Sequence, residues 1–207
     1  MESLNNKIRV QILSNPLILD IGFANIDQYK IIPGGRHPWD FYSDANIAIV
    51  YITLISKILE TYGHWYVVSL INYLTKSNQY IKATLQNDFG IQSTGIVDEK
   101  LNQQLIGNIS FRQFAVLSGL GSIGKNRSFI HHALGAGVCI GIVLAKLDVK
   151  FKNHFQKDNL CRDCNNCIKN CPTSAITVNS FNSYQCKNRR KILKKGCSTP
   201  CINLCTA

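Results

Sequence analysis

The sequence predicts an α/β domain over residues 1–150 followed by a small cysteine-rich module over residues 151–207. Three observations predict this. Eight of the nine cysteines (Cys161, Cys164, Cys167, Cys171, Cys186, Cys197, Cys201 and Cys205) fall in the last 47 residues, and only Cys139 lies outside them. Apolar runs typical of buried strands alternate with helical periodicity through the first 150 residues. Charge divides at the same place. From Phe151 onward ten Lys/Arg stand against Asp158 and Asp163, a net of +8, whereas the first 150 residues carry thirteen against ten, a net of +3.

Residues 4–13 read as a short helix, and Pro16 to Phe23 as a buried strand. A Pro/Gly-rich loop follows at Ile32-Pro-Gly-Gly-Arg-His-Pro38. Asn46 to Thr53 is a continuous apolar run with β-branched residues, as in a central strand. Trp65 to about Gln86 carries Val68, Ile71, Leu74, Ile81 and Leu85 at helical spacing and predicts a long amphipathic helix ended by Gly90. Ile91 to Val97 reads as a strand. Ser110 is placed as the N-cap of a helix running to Leu117 and stopped by Gly119. Val138 to Leu147 is the last strong strand, and polar residues take over between Asp148 and Lys157.

Composition excludes several classes. At 45% hydrophobic and 17% charged residues the chain is globular rather than disordered. The start, MESLNNKIRVQIL, has an acid at position 2 and no apolar core, so no secretory signal is expected. The longest apolar run, Leu134 to Ala145, falls short of the ~20 residues that span a bilayer. The expected location is the reducing cytoplasm, away from membranes, where a dense cysteine array points to metal rather than to disulfides.

Cys161-x2-Cys164-x2-Cys167-x3-Cys171-Pro172 is the ligand run of bacterial two-cluster ferredoxins. Two-residue spacings wrap a tight loop round one corner of a cubane, with backbone N–H groups aimed at its sulfides. The fourth cysteine turns away toward a second cluster, and Cys186, Cys197, Cys201 and Cys205 supply the remaining ligands. The pattern predicts a ferredoxin-like domain with two 4Fe-4S clusters. Its crossed ligation implies Cys161, Cys164, Cys167 and Cys205 on one cluster, and Cys171, Cys186, Cys197 and Cys201 on the other. The second half departs from the ferredoxin spacing, and Thr206 replaces the proline expected after Cys205. The competing reading is structural zinc, but zinc sites do not place four thiols in eleven residues ending in Cys-Pro. Two such clusters add roughly −2 each, so part of the +11 net charge offsets them and part remains for an anionic partner.

Gly119-Leu-Gly121-Ser-Ile-Gly124-Lys125-Asn126 fits both a dinucleotide fingerprint and most of a P-loop. Context argues against both. The preceding segment reads as helix rather than strand, and Asn126 stands where a P-loop needs Ser or Thr for magnesium. Two readings stay open, a helix C-cap with a turn, and a loop whose N–H groups and lysine cradle a cofactor or phosphate. On the second, Gly119, Gly121, Gly124, Lys125 and Asn126 are cofactor-binding residues.

Ser110-x-Arg112-x-x-Ala115-x-x-Ser118-Gly-Leu-Gly-x-x-Gly-Lys-Asn126, a strand after it and the double cysteine module together resemble the epoxyqueuosine reductase family, most of all its short, anaerobe-type members. The resemblance covers about residues 45–205. It implies a nitroreductase-like α/β domain that binds cobalamin, with flavin as the alternative, and electrons passed to it through two clusters. In that family the reduced cobalamin removes the epoxide oxygen of epoxyqueuosine in a tRNA anticodon loop. Implied partners are an electron donor such as ferredoxin or flavodoxin, and tRNA or another redox protein, with pairing into homodimers open. One departure stands out. The family places an acid in a short Asp-Ser-x-Pro stretch before the glycine loop as proton donor, and the matching Leu105-Ile-Gly-Asn108 has none; Asp98 and Glu99 lie six or seven residues too early. Catalytic residues are therefore unassigned. The alternative function is a non-catalytic ferredoxin-like electron-transfer protein that docks to a partner redox enzyme.

Other residues divide between bland and functional readings. His131-His132 reads as a solvated loop pair or as an axial ligand or proton donor; His37 and His64 read as loop and packing residues. Cys139 reads as a buried hydrophobe. Six Lys/Arg within Lys187 to Lys195 form a solvated loop or a docking face, and Asp98 and Glu99 suit a helix N-terminus.

Overall fold

The computed structural model describes residues 3–62, 66–97, 108–148, 151, 161, 163–192, 200–203 and 205. In chain order its elements are α1 (Leu4–Leu13), β1 (Asp20–Asn25), β2 (Ile47–Leu54), α2 (Ile55–Tyr62), α3 (Tyr66–Phe89), β3 (Ser93–Ile96), α4 (Phe111–Leu117), β4 (Gly121–Ile123), β5 (Phe129–His131), β6 (Val138–Ala145), α5 (Asn166–Lys169), α6 (Ser183–Ile192) and α7 (Pro200–Asn203), with short 3-10 turns at Ile26–Gln28 and Pro38–Asp40. The chain divides into two compact units, Met1–Leu120 with Cys139–Phe155, and Gly121–Val138 with Gln156–Ala207. Residues 121–138, which a boundary near 150 leaves in the first domain, group here with the cysteine module.

The first unit is built on a four-stranded sheet in the order β1-β2-β6-β3. β1 pairs antiparallel with β2, Asp20 opposite Ile52 and Asn25 opposite Ile47. β3 pairs antiparallel with β6, Ser93 opposite Ala145. β2 is buried from Ile47 to Thr53, as its unbroken apolar run requires of a strand with both faces covered. β1 begins four residues later than its apolar run suggests. The Asn15 side-chain carbonyl accepts the Leu17 N–H at 3.0 Å, so Pro16 and Leu17 lie in a turn ahead of the ladder.

Helix ends follow their capping chemistry. Ser3 and Ser110 hydroxyls accept N–H groups of Asn6 and Gln113 at 3.4 and 3.2 Å. Gly119 adopts φ 76°, which a side chain disfavours. Its N–H reaches the Val116 carbonyl at 3.0 Å and the Leu120 N–H reaches Ala115 at 3.2 Å, the paired closure of a Schellman turn. The first glycine of the glycine-rich segment therefore ends a helix. Among the described residues no helix is long and apolar enough to cross a membrane.

At the centre of the first unit Tyr51 and Tyr73 are fully buried, with Cys139 packed against the same core. The Tyr51 hydroxyl donates to Asn78 Oδ1 at 2.8 Å, and Asn78 Nδ2 donates to the Ile96 carbonyl at 3.1 Å. This chain satisfies the polar atoms that burial would otherwise penalise. Burial pushes the Tyr51 and Tyr73 phenols up from 10.0, and pushes the Cys139 thiol up from 9.0 to about 12. Cys139 is thus the neutral core thiol its apolar strand implies. The unfolded chain releases these protons near their ordinary values and the native chain holds them longer, so the native state binds more protons above that point. Stability is full below about pH 9 and falls as pH rises toward 12. A melting-temperature profile from neutral pH to about 11 should bend downward past 9; a flat profile would contradict it.

Candidate metal centre

In the second unit, β4 and β5 form an antiparallel hairpin with Gly121 opposite His131 and Ile123 opposite Phe129. Its tip is the remainder of the glycine-rich segment. A Cβ on Gly121 would lie 2.0 Å from the Ile130 carbonyl oxygen, and one on Gly124 would lie 2.5 Å from the Ile130 side chain. Gly121 is required by the closeness of the two strands, and Gly124 leaves room for the Ile130 and Asn126 side chains. The loop closes through Gly124 N–H to the Ser128 carbonyl at 2.9 Å and Arg127 N–H to the Gly124 carbonyl at 2.9 Å, with Arg127 at φ 61°.

The tip residues point their polar groups at the cysteine segments. Lys125 Nζ donates to the Cys164 carbonyl at 3.1 Å and to Asn165 Oδ1 at 3.0 Å. Asn126, 7% exposed, donates from Nδ2 to the Cys201 carbonyl at 2.7 Å and accepts the Ser128 N–H on Oδ1 at 3.0 Å. The Ala136 N–H donates to the Cys205 carbonyl at 3.2 Å. Three backbone carbonyls of three cysteines are thereby held by residues 125–136.

Cys161 and Cys167 are buried, and Cys161 packs with Ile130 and Ala136 beside Ile202 and Cys205. Burial pushes the Cys205 thiol up to about 11, and the nearby thiols of Cys161, Cys164, Cys167 and Cys201 push it the same way. Cys167 is raised by burial and then by Cys161 and Cys164. These thiols lie in one neighbourhood, although no three His, Cys, Asp or Glu side chains among the described residues form a group that could hold a single metal ion.

Cys171 follows α5 and behaves differently. Burial is the largest single influence and pushes its thiol up, but the backbone N–H groups of Thr173, Ala175 and Ile176 and the Thr173 hydroxyl together outweigh it and draw the thiol below the ordinary range. The Ala175 N–H lies 3.3 Å from Sγ. The chain turns here through Pro172 and Ser174, the latter at φ 52°, and an isolated bridge joins Ile176 to Phe181 ahead of α6. Cys186 sits on α6, with its N–H on the Asn182 carbonyl at 3.2 Å. Cys197 lies outside the described residues, as do His64, Asp98, Glu99 and residues 105–107 of the stretch that lacks an acid.

His131 is 3% exposed, against the expectation of a solvated loop. Its Nδ1 accepts the N–H groups of Ala133 and Leu134 at 3.2 and 3.3 Å, and its backbone pairs with Gly135. Asn165, the second acceptor for Lys125, was not singled out from the sequence. A side-chain amide between two ligand-spaced cysteines carries no signal of its own.

The fold is shared with solved structures of epoxyqueuosine reductases and reductive dehalogenases. No family model matches the chain. A solved epoxyqueuosine reductase in complex with an epoxyqueuosine-modified tRNA-Tyr stem loop overlays 98% of this chain and 64% of its own at a TM-score of 0.73 and 16% identity. A reductive dehalogenase described with a mechanism for B12-dependent dehalogenation overlays 82% of this chain and 26% of its own, with a TM-score of 0.58 and 12% identity. In sequence, the epoxyqueuosine reductase of Staphylococcus aureus is 35% identical over 81 residues, 39% of this chain. The match spans about a fifth of that relative's length, 21%. Over that segment the chain resembles epoxyqueuosine reductases, which are oxidoreductases.

Proposed function

We propose that this chain is an iron–sulfur oxidoreductase that relays electrons through two 4Fe-4S clusters to a cofactor at its α/β unit. The observation that carries the reading is that Cys205 packs against Cys161 from the far end of the module, where the Cys161, Cys164, Cys167 and Cys201 thiols all act on its own. A cubane spreads its four ligands around its own body, so thiols that neighbour one another without meeting at a point suit it better than a single ion. Cys171, with N–H groups directed at its sulfur, suits the second cluster together with Cys186, Cys197 and Cys201. The clusters would supply one-electron transfer. The chain's own residues fix the ligand backbone and bury the Cys161 and Cys167 thiols.

Cobalamin is the favoured cofactor, with flavin as the alternative, on the strength of the dehalogenase likeness. A tRNA substrate is supported by the complex of the epoxyqueuosine reductase neighbour and by the +11 net charge. A cytoplasmic location follows from the need to keep eight thiols reduced. The second reading, an electron-transfer protein without its own substrate, is favoured by the absence of any carboxylate in Leu105-Ile-Gly-Asn108.

Protein isolated without oxygen should be brown, with about eight iron atoms per chain, and should bind cobalamin at micromolar concentration, read by absorbance. Colourless protein with one or two zinc would overturn the cluster reading. Iron without either cobalamin or flavin binding would favour the electron-transfer reading.

A further inference from the structure

We infer that Lys125 and Asn126 form a clamp across the two cysteine segments, and that the fixed Lys125 ammonium raises the reduction potential of the cluster held by Cys161, Cys164, Cys167 and Cys205. The inference rests on the proposed cluster ligation and gives the tip of the glycine-rich hairpin a role in that centre.

The two segments that must meet around this cluster are far apart in sequence. Lys125 holds the first by the Cys164 carbonyl, and Asn126 holds the second by the Cys201 carbonyl. Adjacent residues on one rigid tip thus fix both segments at a set separation. The tip is itself fixed: Asn126 uses both ends of its amide, and Gly121 and Gly124 allow the strands to close beneath it. The Lys125 ammonium is doubly anchored, on Cys164 and on Asn165, so its charge does not sweep a wide volume.

Cluster potentials respond to nearby charge, hydrogen bonding and solvent exposure. Reduction adds one negative charge to an already anionic group of thiolates and iron. A cation held at the residue that supplies one thiolate stabilises the reduced form more than the oxidised form, because the interaction grows with the charge it meets. Lys125 is only half buried, so added salt weakens the effect without abolishing it. Lys125 acts here as a positioning residue through the Cys164 backbone that it holds.

The test is a redox titration of the anaerobically isolated holoprotein, followed by electron paramagnetic resonance, on wild type, Lys125→Gln and Lys125→Arg. Glutamine keeps a donor for the carbonyl and drops the charge; arginine keeps the charge. Lys125→Gln should shift one of two midpoints to more negative potential and leave the other in place, with iron content unchanged. Lys125→Arg should restore it, and raised ionic strength should narrow the gap between wild type and Lys125→Gln. Two unchanged midpoints in Lys125→Gln, equal shifts of both, or a shift that Lys125→Arg does not reverse would overturn the inference. If Lys125→Gln loses iron from one cluster while Lys125→Arg keeps it, the clamp stands on cluster retention alone and the potential claim falls. Wild-type protein without iron would instead sink the cluster reading itself.

Discussion

Replacing Gly141 by alanine should destabilise the first unit by about 3 kcal/mol or more, enough to leave a marginal domain largely unfolded. A Cβ at this position would lie 1.9 Å from the Cζ of Tyr51 and 2.3 Å from its hydroxyl oxygen. Tyr51 is fully buried and cannot swing into solvent. Its ring packs edge-on to Tyr73, with centroids 6.2 Å apart, and its hydroxyl is committed to Asn78. Displacing the ring either overpacks the Tyr73 side or breaks the Tyr51–Asn78–Ile96 hydrogen-bond chain. The broken chain would leave buried polar atoms unsatisfied, at about 1–3 kcal/mol on top of the strain. Chemical denaturation checks this through the unfolding midpoint. Gly137→Ala is the control, since a Cβ there meets nothing within 4 Å. Equal midpoints for Gly141→Ala and wild type would refute the packing described around Tyr51.

Cys161→Ser and Cys186→Ser should each remove one cluster, lowering iron from about eight to about four atoms per chain. The two cysteines sit in different surroundings. Cys161 is buried with Ile130 and Ala136 and shares the neighbourhood of Cys205, whereas Cys186 lies on α6 beyond the Cys171 turn. Serine is a poor ligand for iron in a cubane, so loss of a thiolate costs a cluster more than it costs the fold. Cys139→Ser should keep the full iron complement, because that thiol lies in the core of the other unit and stays neutral. Metal analysis and electron paramagnetic resonance of the three variants decide the matter. Full iron in Cys161→Ser or Cys186→Ser would strike that residue from the ligand set.

Helix ends were readable because capping is local. Ser110, Gly119 and Gly90 each declare a terminus through a hydroxyl or a missing Cβ, and the helices stop where those residues stand. The central strand was readable because eight consecutive apolar and β-branched residues have no other home. The Pro16 to Leu19 run misled because hydrophobicity does not report a turn, which the Asn15 amide and Pro16 impose. α2 was missed because Ile55 to Tyr62 follows β2 without a polar break. The β4–β5 hairpin was missed for a different reason. Its strands are three residues each, too short for alternation to show, and its glycines imitate a phosphate loop. Its destination, the carbonyls of Cys164 and Cys201, depends on residues far along the chain. The cysteine spacing announced metal; it could not announce that a hairpin ahead of it would hold the ligand backbone.

That hairpin has a consequence for synthesis. Residues 121–138 leave the ribosome after most of the first unit and before β6, the strand paired with β3. A chain that has just completed β6 has therefore finished the sheet while carrying a stretch whose cysteine partners do not yet exist. Domains generally fold as units, N-terminal first. Here the first unit closes around an interruption that stays unfinished until the last cysteine is made. A fragment starting near residue 150 would carry all eight thiols and lack the scaffold that holds their backbone, so the module is not portable by simple truncation.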